Sequence, residues 1–421
     1  MEGITAVRGM RDLFGEDLEK VEYIKEVFER KARLYGYSKI ELPVVEYFKL
    51  FEVKSGEEIR ESMYTFLDKA GRELALRPEM TPGTVRAYIE HFQHLPKPVR
   101  LYYYGTVYRY DEPQFGRYRE FRQAGVEMIG SQGLAADLEV IHLLASIYEE
   151  LGLIDRIKLK LNNIGIYRKL FQCANIEERQ QEHLLHLIDK NKTEEALKIV
   201  QNTRIYEVLA TLLDRKEEEA VSSSEEIGCS IKEELDYVKN VVDLLKGEVP
   251  GAYYNVGFVR GLAYYTGIIF EVEHPSVPFS IAGGGRYDGL VEVYGAAHTP
   301  ALGFAIGVER TALVLEKSRQ GKEELNKAVI LLMSQDKRAY EVAIHMLRAF
   351  HEIGVKANFS LKSSTSISKL IPDFLKEGYT HLVIVGLREV SGGFVTVKNL
   401  LTKQQYEIRY PLDPESLKQI F

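Results

Sequence analysis

Apolar positions along this chain recur with two periods, and the switches between them mark out its elements. Over LEKVEYIKEVFERKARLYGY the period is helical: Val21, Ile24, Phe28 and Ala32 share one face, and Gly36 ends the run. SKIELPVVEY then reads as a strand interrupted by Pro43. ESMYTFLD and ELALRPEMT read as a hairpin around KAGR. VRLYYYGTVYRY and RYREFRQAGVEMIG form a second antiparallel hairpin joined by DEPQFG, while PGTVRAYIEHF and LAADLEVIHLLASIYEELGL are helical and IKLKLNN returns to strand.

Beyond about residue 175 the pattern changes. ERQQEHLLHLIDKNKTEEALKIVQN, IYEVLATLLD and IKEELDYVKNVVDLLK are helical and acidic, which reads as a helical insertion over about 175–247 in a β-rich domain. Strand character resumes at GIIFEVE and FSIAGGGRYDGL, and ALGFAIGVERTALVLE reads as a closing helix. The polar stretch KSRQGKEELNK has the composition of a linker. After it, strands such as AVILLM and HLVIVG alternate with helices, the pattern of a small α/β domain with a mixed sheet. The expected fold is α+β: an antiparallel sheet core with a helical insertion over 1–322, then an α/β domain over 323–421.

Charge changes the picture only when it is divided. The formal net charge of the 421 residues is −7, but from Leu325 onward 13 Lys and Arg stand against 9 Asp and Glu. A basic C-terminal part on an acidic body can meet a polyanion locally, although an evenly solvated surface fits the same totals. The two cysteines, Cys173 and Cys229, exclude a Cys-based zinc cluster and, being far apart, a disulfide framework; they fit a reducing compartment. The N-terminal stretch has no secretory signal pattern and no segment reaches the length of an uncharged membrane span, so a soluble, cytoplasmic protein is expected.

Candidate chemistry gathers in four places. In the second hairpin, successive side chains point to opposite faces, so Arg117, Arg119, Phe121, Gln123 and Glu127 line up together. Guanidinium on phosphate, ring on base and acid on amine is a set able to grip a nucleotide, and Arg109 can join it across the ladder. A solvated charged face is the alternative, though Phe121 has no use there. VRGLAYYTGIIFEVE places Arg260 and two tyrosines, Tyr264 and Tyr265, before a strand. AGGGRYDGL offers three glycines for close backbone approach, but neither a P-loop nor a GxGxxG is present, so phosphate must be handled by arginines. In ALGFAIGVER a helix would put Gly303, Gly307 and Arg310 on one stripe. LRPEMT supplies Glu79, Met80 and Thr81 after a strand, with a carboxylate and a hydroxyl able to hold an ammonium group.

Taken together these segments resemble the motif set of class II aminoacyl-tRNA synthetases: IELPVVE, then VYRYDEPQFGRYREFRQAGVE, then ALGFAIGVER. VRGLAYYTG and AGGGRYDGL are similar to the two signature peptides of the histidyl-tRNA synthetase family. The resemblance covers the whole chain, including the insertion and the C-terminal domain. It implies ATP-dependent activation of L-histidine to histidyl-adenylate and transfer to the 3′ end of tRNA(His), with ATP as substrate, Mg2+ accompanying it, and a homodimer built through the first motif. It implies that Arg109 and Arg260 are catalytic cations at the α-phosphate. ATP then falls to Arg109, Asp111, Arg119, Phe121 and Arg310, with Phe121 on adenine and Arg310 on the γ-phosphate side. Histidine falls to Glu79, Met80, Thr81, Gln123, Glu127, Tyr264 and Tyr265, with Glu127 and Tyr265 reading the imidazole. The family usually carries Asp where this chain has Ala263, Glu where it has Asp111, and Gly where it has Met80. The second reading is a non-catalytic, synthetase-like regulatory subunit of histidine biosynthesis, which resembles the core but lacks the C-terminal domain. A third is another class II synthetase, such as a prolyl or threonyl enzyme, which lacks RGLAYYTG.

Overall fold

The computed structural model describes residues 4–55, 58–260, 264–316, 327–334, 336–360, 366–410 and 417. Ala263 and the linker at 317–326 lie outside the described residues. The chain divides into two compact units, Met1–Arg319 and Gln320–Phe421.

The described residues of the first unit hold eleven strands: β1 (Ser38–Lys39), β2 (Val45–Tyr47), β3 (Thr65–Leu67), β4 (Glu73–Leu76), β5 (Val99–Tyr108), β6 (Glu120–Ile129), β7 (Lys158–Asn163), β8 (Ala252–Tyr254), β9 (Ile268–Glu273), β10 (Ala282–Arg286) and β11 (Ala301–Gly307). Eight form one sheet in the order β1-β5-β6-β11-β10-β9-β7-β8, antiparallel throughout its six central strands; β2, β4 and β3 form a small second sheet. Pro43 breaks the first strand prediction as expected, and its two halves join different sheets.

The large sheet has one apolar and one polar face because its central strands keep a strict period of two. On β6, Ala124, Val126 and Met128 are buried on one side, where helices Gly15–Leu34 and Leu134–Glu150 pack. The second helix is apolar nearly all round, with Val140, Ile141, Leu144 and Ile147 fully enclosed; each such side chain contributes roughly 1.5–3 kcal/mol of burial. Gln123 and Glu127 point the other way, toward the pocket described below.

Two expectations are corrected here. ALGFAIG is a strand, not the start of a helix; the helix begins only at Val308. Its bulky residues alternate, with Leu302, Phe304 and Ile306 buried in the core, while Gly303, Ala305 and Gly307 take the opposite face. The cysteines also do not stay apart. Cys173, at the end of helix Gly165–Cys173, is bonded to Cys229, with 6.1 Å between their Cα atoms. Packing of that helix against helix Lys232–Leu245 brings together residues 56 apart in sequence. The bond encloses helices Glu178–Asp189, Thr193–Val200, Tyr206–Leu213 and Glu217–Glu226, the body of the insertion. Helix Lys232–Leu245 instead covers β7 and β8 with Leu235, Val238 and Val242.

The second unit is a mixed five-stranded sheet. Strands β12 (Lys327–Leu332), β13 (Lys356–Phe359) and β14 (His381–Val385) are parallel in the order β13-β12-β14, and β15 (Phe394–Asn399) and β16 (Gln405–Arg409) continue it antiparallel. Alternate residues of β12 feed two cores. Ala328 and Ile330 meet Met346 and Phe350 of helix Lys337–Glu352, whereas Val329 and Leu331 meet Leu370 and Phe374 of helix Ile367–Lys376.

Candidate active site

Strand register builds the floor of the main cavity. Tyr103 on β5, Gly125 on β6, Ala305 on β11, Gly283 on β10 and Glu271 on β9 are paired in a single row across the sheet. The three middle positions are the smallest side chains available, so the row forms a trough between a tyrosine wall and an acid wall. In the neighbouring row Glu127 pairs with Gly303, where an added Cβ would overlap the Glu127 carboxylate. Glycine is required there because the acid leans across the strand. The resulting cavity has a volume of about 210 Å³.

Four guanidinium groups line one part of it: Arg109, Arg117, Arg260 and Arg310. Arg109 and Arg310 are held by backbone oxygens and aromatic rings rather than by acids. Arg109 Nε donates to Pro78 O at 3.0 Å, and its guanidinium lies 5.5 Å from the Phe121 ring centre. Arg310 donates from Nε to Gly116 O at 2.8 Å and from Nη1 to Ser280 O at 3.1 Å, with the Phe279 ring beneath it at 4.9 Å. Burial, and after it the charges of Arg109 and Arg117, push the Arg310 guanidinium below its ordinary range. Cations crowded until they repel one another make a site for a polyanion.

Acids and hydroxyls line the other part. Glu127 is 1% exposed and accepts hydrogen bonds from Thr81 Oγ1 at 2.7 Å, from Tyr103 Oη at 3.1 Å and from the Tyr287 hydroxyl. Burial nonetheless pushes its carboxyl up to about 7, against the pull of those donors, and Glu79 pushes the same way. Glu79 accepts from Tyr264 Oη at 3.2 Å, and burial raises its carboxyl despite the nearby Arg109 and Arg260. Gln123 Oε1 accepts from Met80 N–H at 3.2 Å, which fixes the amide and turns its nitrogen free of that bond.

Arg109, Asp111, Phe121, Arg310, Glu79, Thr81, Gln123, Glu127, Arg260, Tyr264 and Tyr265 thus line one cavity. Two of the expected residues do not. Met80 is buried in an apolar cluster with Leu42, Tyr103 and Val107, and its backbone N–H reaches Gln123. Arg119 turns aside: its N–H donates to Gly9 O, its Nε donates to Asp111 O at 3.0 Å, and its guanidinium stacks over Tyr110 at 4.1 Å. Tyr287 and Glu271 are lining groups that pattern reasoning passed over. Register would have pointed to Glu271, since it shares a row with Gly125. Arg286, which follows the three glycines, faces the core instead and is paired with Asp137 and Asp288.

An antiparallel sheet with helices behind it and arginines, acids and small residues on its open face defines the catalytic core of a class II aminoacyl-tRNA synthetase. Residues 9–311 match the description of the histidyl-tRNA synthetases, and residues 327–412 match that of an anticodon-binding domain. The chain belongs to the histidyl-tRNA synthetase family and is a ligase. A histidine–tRNA ligase of Sulfurisphaera tokodaii is 50% identical, with 98% of each chain covered, and one of Sulfolobus acidocaldarius is 48% identical, with 97% of each covered. Among solved structures, the apo histidyl-tRNA synthetase of S. aureus is 27% identical with a TM-score of 0.70 over the full length of both chains. A Bacillus halodurans protein described as an ATP phosphoribosyltransferase regulatory subunit/histidyl-tRNA synthetase shares the fold, with a TM-score of 0.74 at 22% identity over 92% of this chain and 99% of that one.

Proposed function

We propose that this cavity carries out the reaction of the family, with the residues named above in defined roles. Histidine and ATP give histidyl-adenylate and pyrophosphate, and the histidyl group then passes to the 3′ end of tRNA(His). A carboxylate oxygen of histidine attacks the α-phosphorus in line, the bond to the bridging oxygen of pyrophosphate breaks, and pyrophosphate leaves. In the second step a ribose hydroxyl of the tRNA attacks the activated carbonyl and AMP leaves. The chain needs no nucleophile of its own for either step. Its contribution is positioning and charge stabilisation.

One observation carries the reading: four guanidiniums, those of Arg109, Arg117, Arg260 and Arg310, line the same cavity as the enclosed carboxylates of Glu79 and Glu127. The triphosphate belongs to the cationic half. Arg109 and Arg260 meet the α-phosphate, Arg310 meets the γ-phosphate, and adenine stacks on Phe121 beside Asp111. Histidine belongs to the acidic half, with its ammonium at Glu79, Thr81 and Gln123. Its imidazole lies between Glu127 and the Tyr264–Tyr265 pair, whose ring centres are 5.1 Å apart. Mg2+ would accompany the phosphates of ATP and offset their charge.

The C-terminal unit takes tRNA, in keeping with its match to anticodon-binding domains and its basic balance. A homodimer through the small sheet is supported by the exposed Val44, Val45, Tyr47, Phe66 and Leu67 around it. No described helix is long and apolar enough to cross a membrane. We place the enzyme in the cytoplasm, where tRNA is charged. The regulatory reading is not favoured, since the relatives at about 50% identity over the full length are ligases.

Amino-acid-dependent ATP–pyrophosphate exchange tests the proposal. Histidine alone among the amino acids stimulates exchange, and Arg260→Ala lowers its kcat by ~100-fold or more while the histidine KM changes little, the magnitude expected for losing one transition-state donor. Stimulation by another amino acid, or equal effects on kcat and KM, overturns it.

A further inference from the structure

Arg260 enters the cavity from the segment before β9, and its guanidinium lies over β10. A Cβ on Gly283 would overlap it. Register sets Glu271 of β9 directly opposite Gly283, so the space and the acid beside it arise from a single pairing. Arg260 Nη1 donates to Phe270 O at 3.2 Å, and Nε stands 3.8 Å from Glu271 Oε1. Among the described residues Glu271 is the one carboxylate within ion-pair range of Arg260.

The far side of Glu271 is also occupied. Lys160 of β7 is its register partner, with Nζ 3.3 Å from Oε2. That ammonium lies closer still to Glu273, at 2.6 Å, and rests over the Phe258 ring at 4.3 Å. The two oxygens of Glu271 are therefore divided between two cations, and a second acid draws Lys160 away from the first. All three side chains are more than three-quarters enclosed: 21% exposure for Arg260, 18% for Glu271 and 15% for Lys160.

We propose that Glu271 is a positioning residue for adenylate formation: it orients the Arg260 guanidinium over Gly283, and Lys160 holds the carboxylate in place. The inference rests on the reading of Arg260 as the α-phosphate cation. The geometry suits that task better than a tight ion pair would. A guanidinium has five N–H donors. One is used on Phe270 O and one faces Glu271, which leaves the others for phosphate oxygens. A bidentate pair would have consumed two donors and cancelled the charge. Without Glu271, a long side chain attached next to a loop samples several rotamers, and only some bring the cation to the reacting phosphorus.

The test is a double-mutant cycle on the full chain, read by histidine-dependent ATP–pyrophosphate exchange with separate kcat and KM. Glu271→Gln is expected to lower kcat by about 10- to 100-fold, with the KM values for histidine and ATP within about 2-fold. In the Arg260→Ala background the same substitution is expected to cost nothing further. If Glu271→Gln does not fold, Lys160→Met makes the same comparison, with a smaller loss of kcat that also vanishes in the Arg260→Ala background. Equal losses in the two backgrounds, a loss carried by KM, or full activity of Glu271→Gln beside a slow Arg260→Ala would each overturn the role of Glu271 alone. Full activity of Arg260→Ala would overturn the reading of Arg260, and this inference with it.

Discussion

Replacing Glu127 by Gln should make the ligand-free enzyme more stable at pH 8 than at pH 5, relative to the native protein, while damaging histidine recognition. The reason lies in the enclosed carboxyl, whose ordinary value of 4.5 is pushed up to about 7 in the folded chain. Below about pH 4.5 the group is protonated in both folded and unfolded states and contributes no pH dependence. Between about 4.5 and 7 the folded chain keeps the proton that the unfolded chain has released, so stability falls as pH rises. Above 7 it is ionised in both states and the full cost is present, about 3 kcal/mol at 1.36 kcal/mol per pH unit.

Glutamine cannot ionise, so the variant lacks this fall. It also disturbs the bonds from Thr81, Tyr103 and Tyr287, but hydroxyls donate or accept as needed, and that offset is nearly independent of pH. The measurable quantity is therefore the change in the variant-minus-native difference between pH 5 and pH 8. For a unit of Met1–Arg319, about 3 kcal/mol corresponds to roughly 4 °C in the unfolding temperature. Scanning calorimetry of both proteins without ligands reads it directly. The histidine KM of the variant rises steeply, because a site built to accept a substrate N–H is left with a competing donor. A variant-to-native difference that stays constant across the pH range would refute the reasoning, and Glu127 would then be an ordinary ionised acid.

Three other outcomes follow from the same geometry. Gly303→Ala drives a methyl into the Glu127 carboxylate and should raise the histidine KM at least 10-fold while the ATP KM changes little; equal KM changes for both substrates would place Gly303 elsewhere in the site. Cys173→Ser opens a loop of 56 residues and should destabilise the first unit by up to about 4 kcal/mol, seen as a lower unfolding temperature under non-reducing conditions and no difference when both proteins are reduced. Ending the chain at Arg319 should leave pyrophosphate exchange measurable but raise the tRNA KM for charging; an unchanged KM would remove the C-terminal unit from tRNA recognition.

Much of the site was legible because a strand alternates whatever it packs against. That rule alone put Phe121, Gln123 and Glu127 together, and β6 keeps all three on the pocket face. It failed two residues earlier. At Arg119 the N–H pairs with Gly9 rather than with a regular ladder partner, and the side chain follows that detour. Gly303 and Gly307 were misread for a different reason: two small residues four apart mimic a helix-packing stripe, and only the alternating buried Leu302, Phe304 and Ile306 betray a period of two. Glu271 and Tyr287 were invisible because their importance comes from cross-strand pairing, which no local pattern records. The Cys173–Cys229 bond was hidden by distance along the chain: separation in sequence says nothing about two ends that return to the same point.

That return has a consequence for how the molecule can change. The anchoring residues of the helical insertion are 6.1 Å apart at Cα, closer than the ends of many four-residue β-turns, which lie within about 7 Å. A segment of more than fifty residues thus hangs from the catalytic unit by a stem as narrow as a turn. Helices on the far side of that stem can lengthen, shorten or be exchanged, and β7 and helix Lys232–Leu245 still meet in the same place. The covalent link also contains damage. If the interior of the loop frays on heating, its two roots remain side by side.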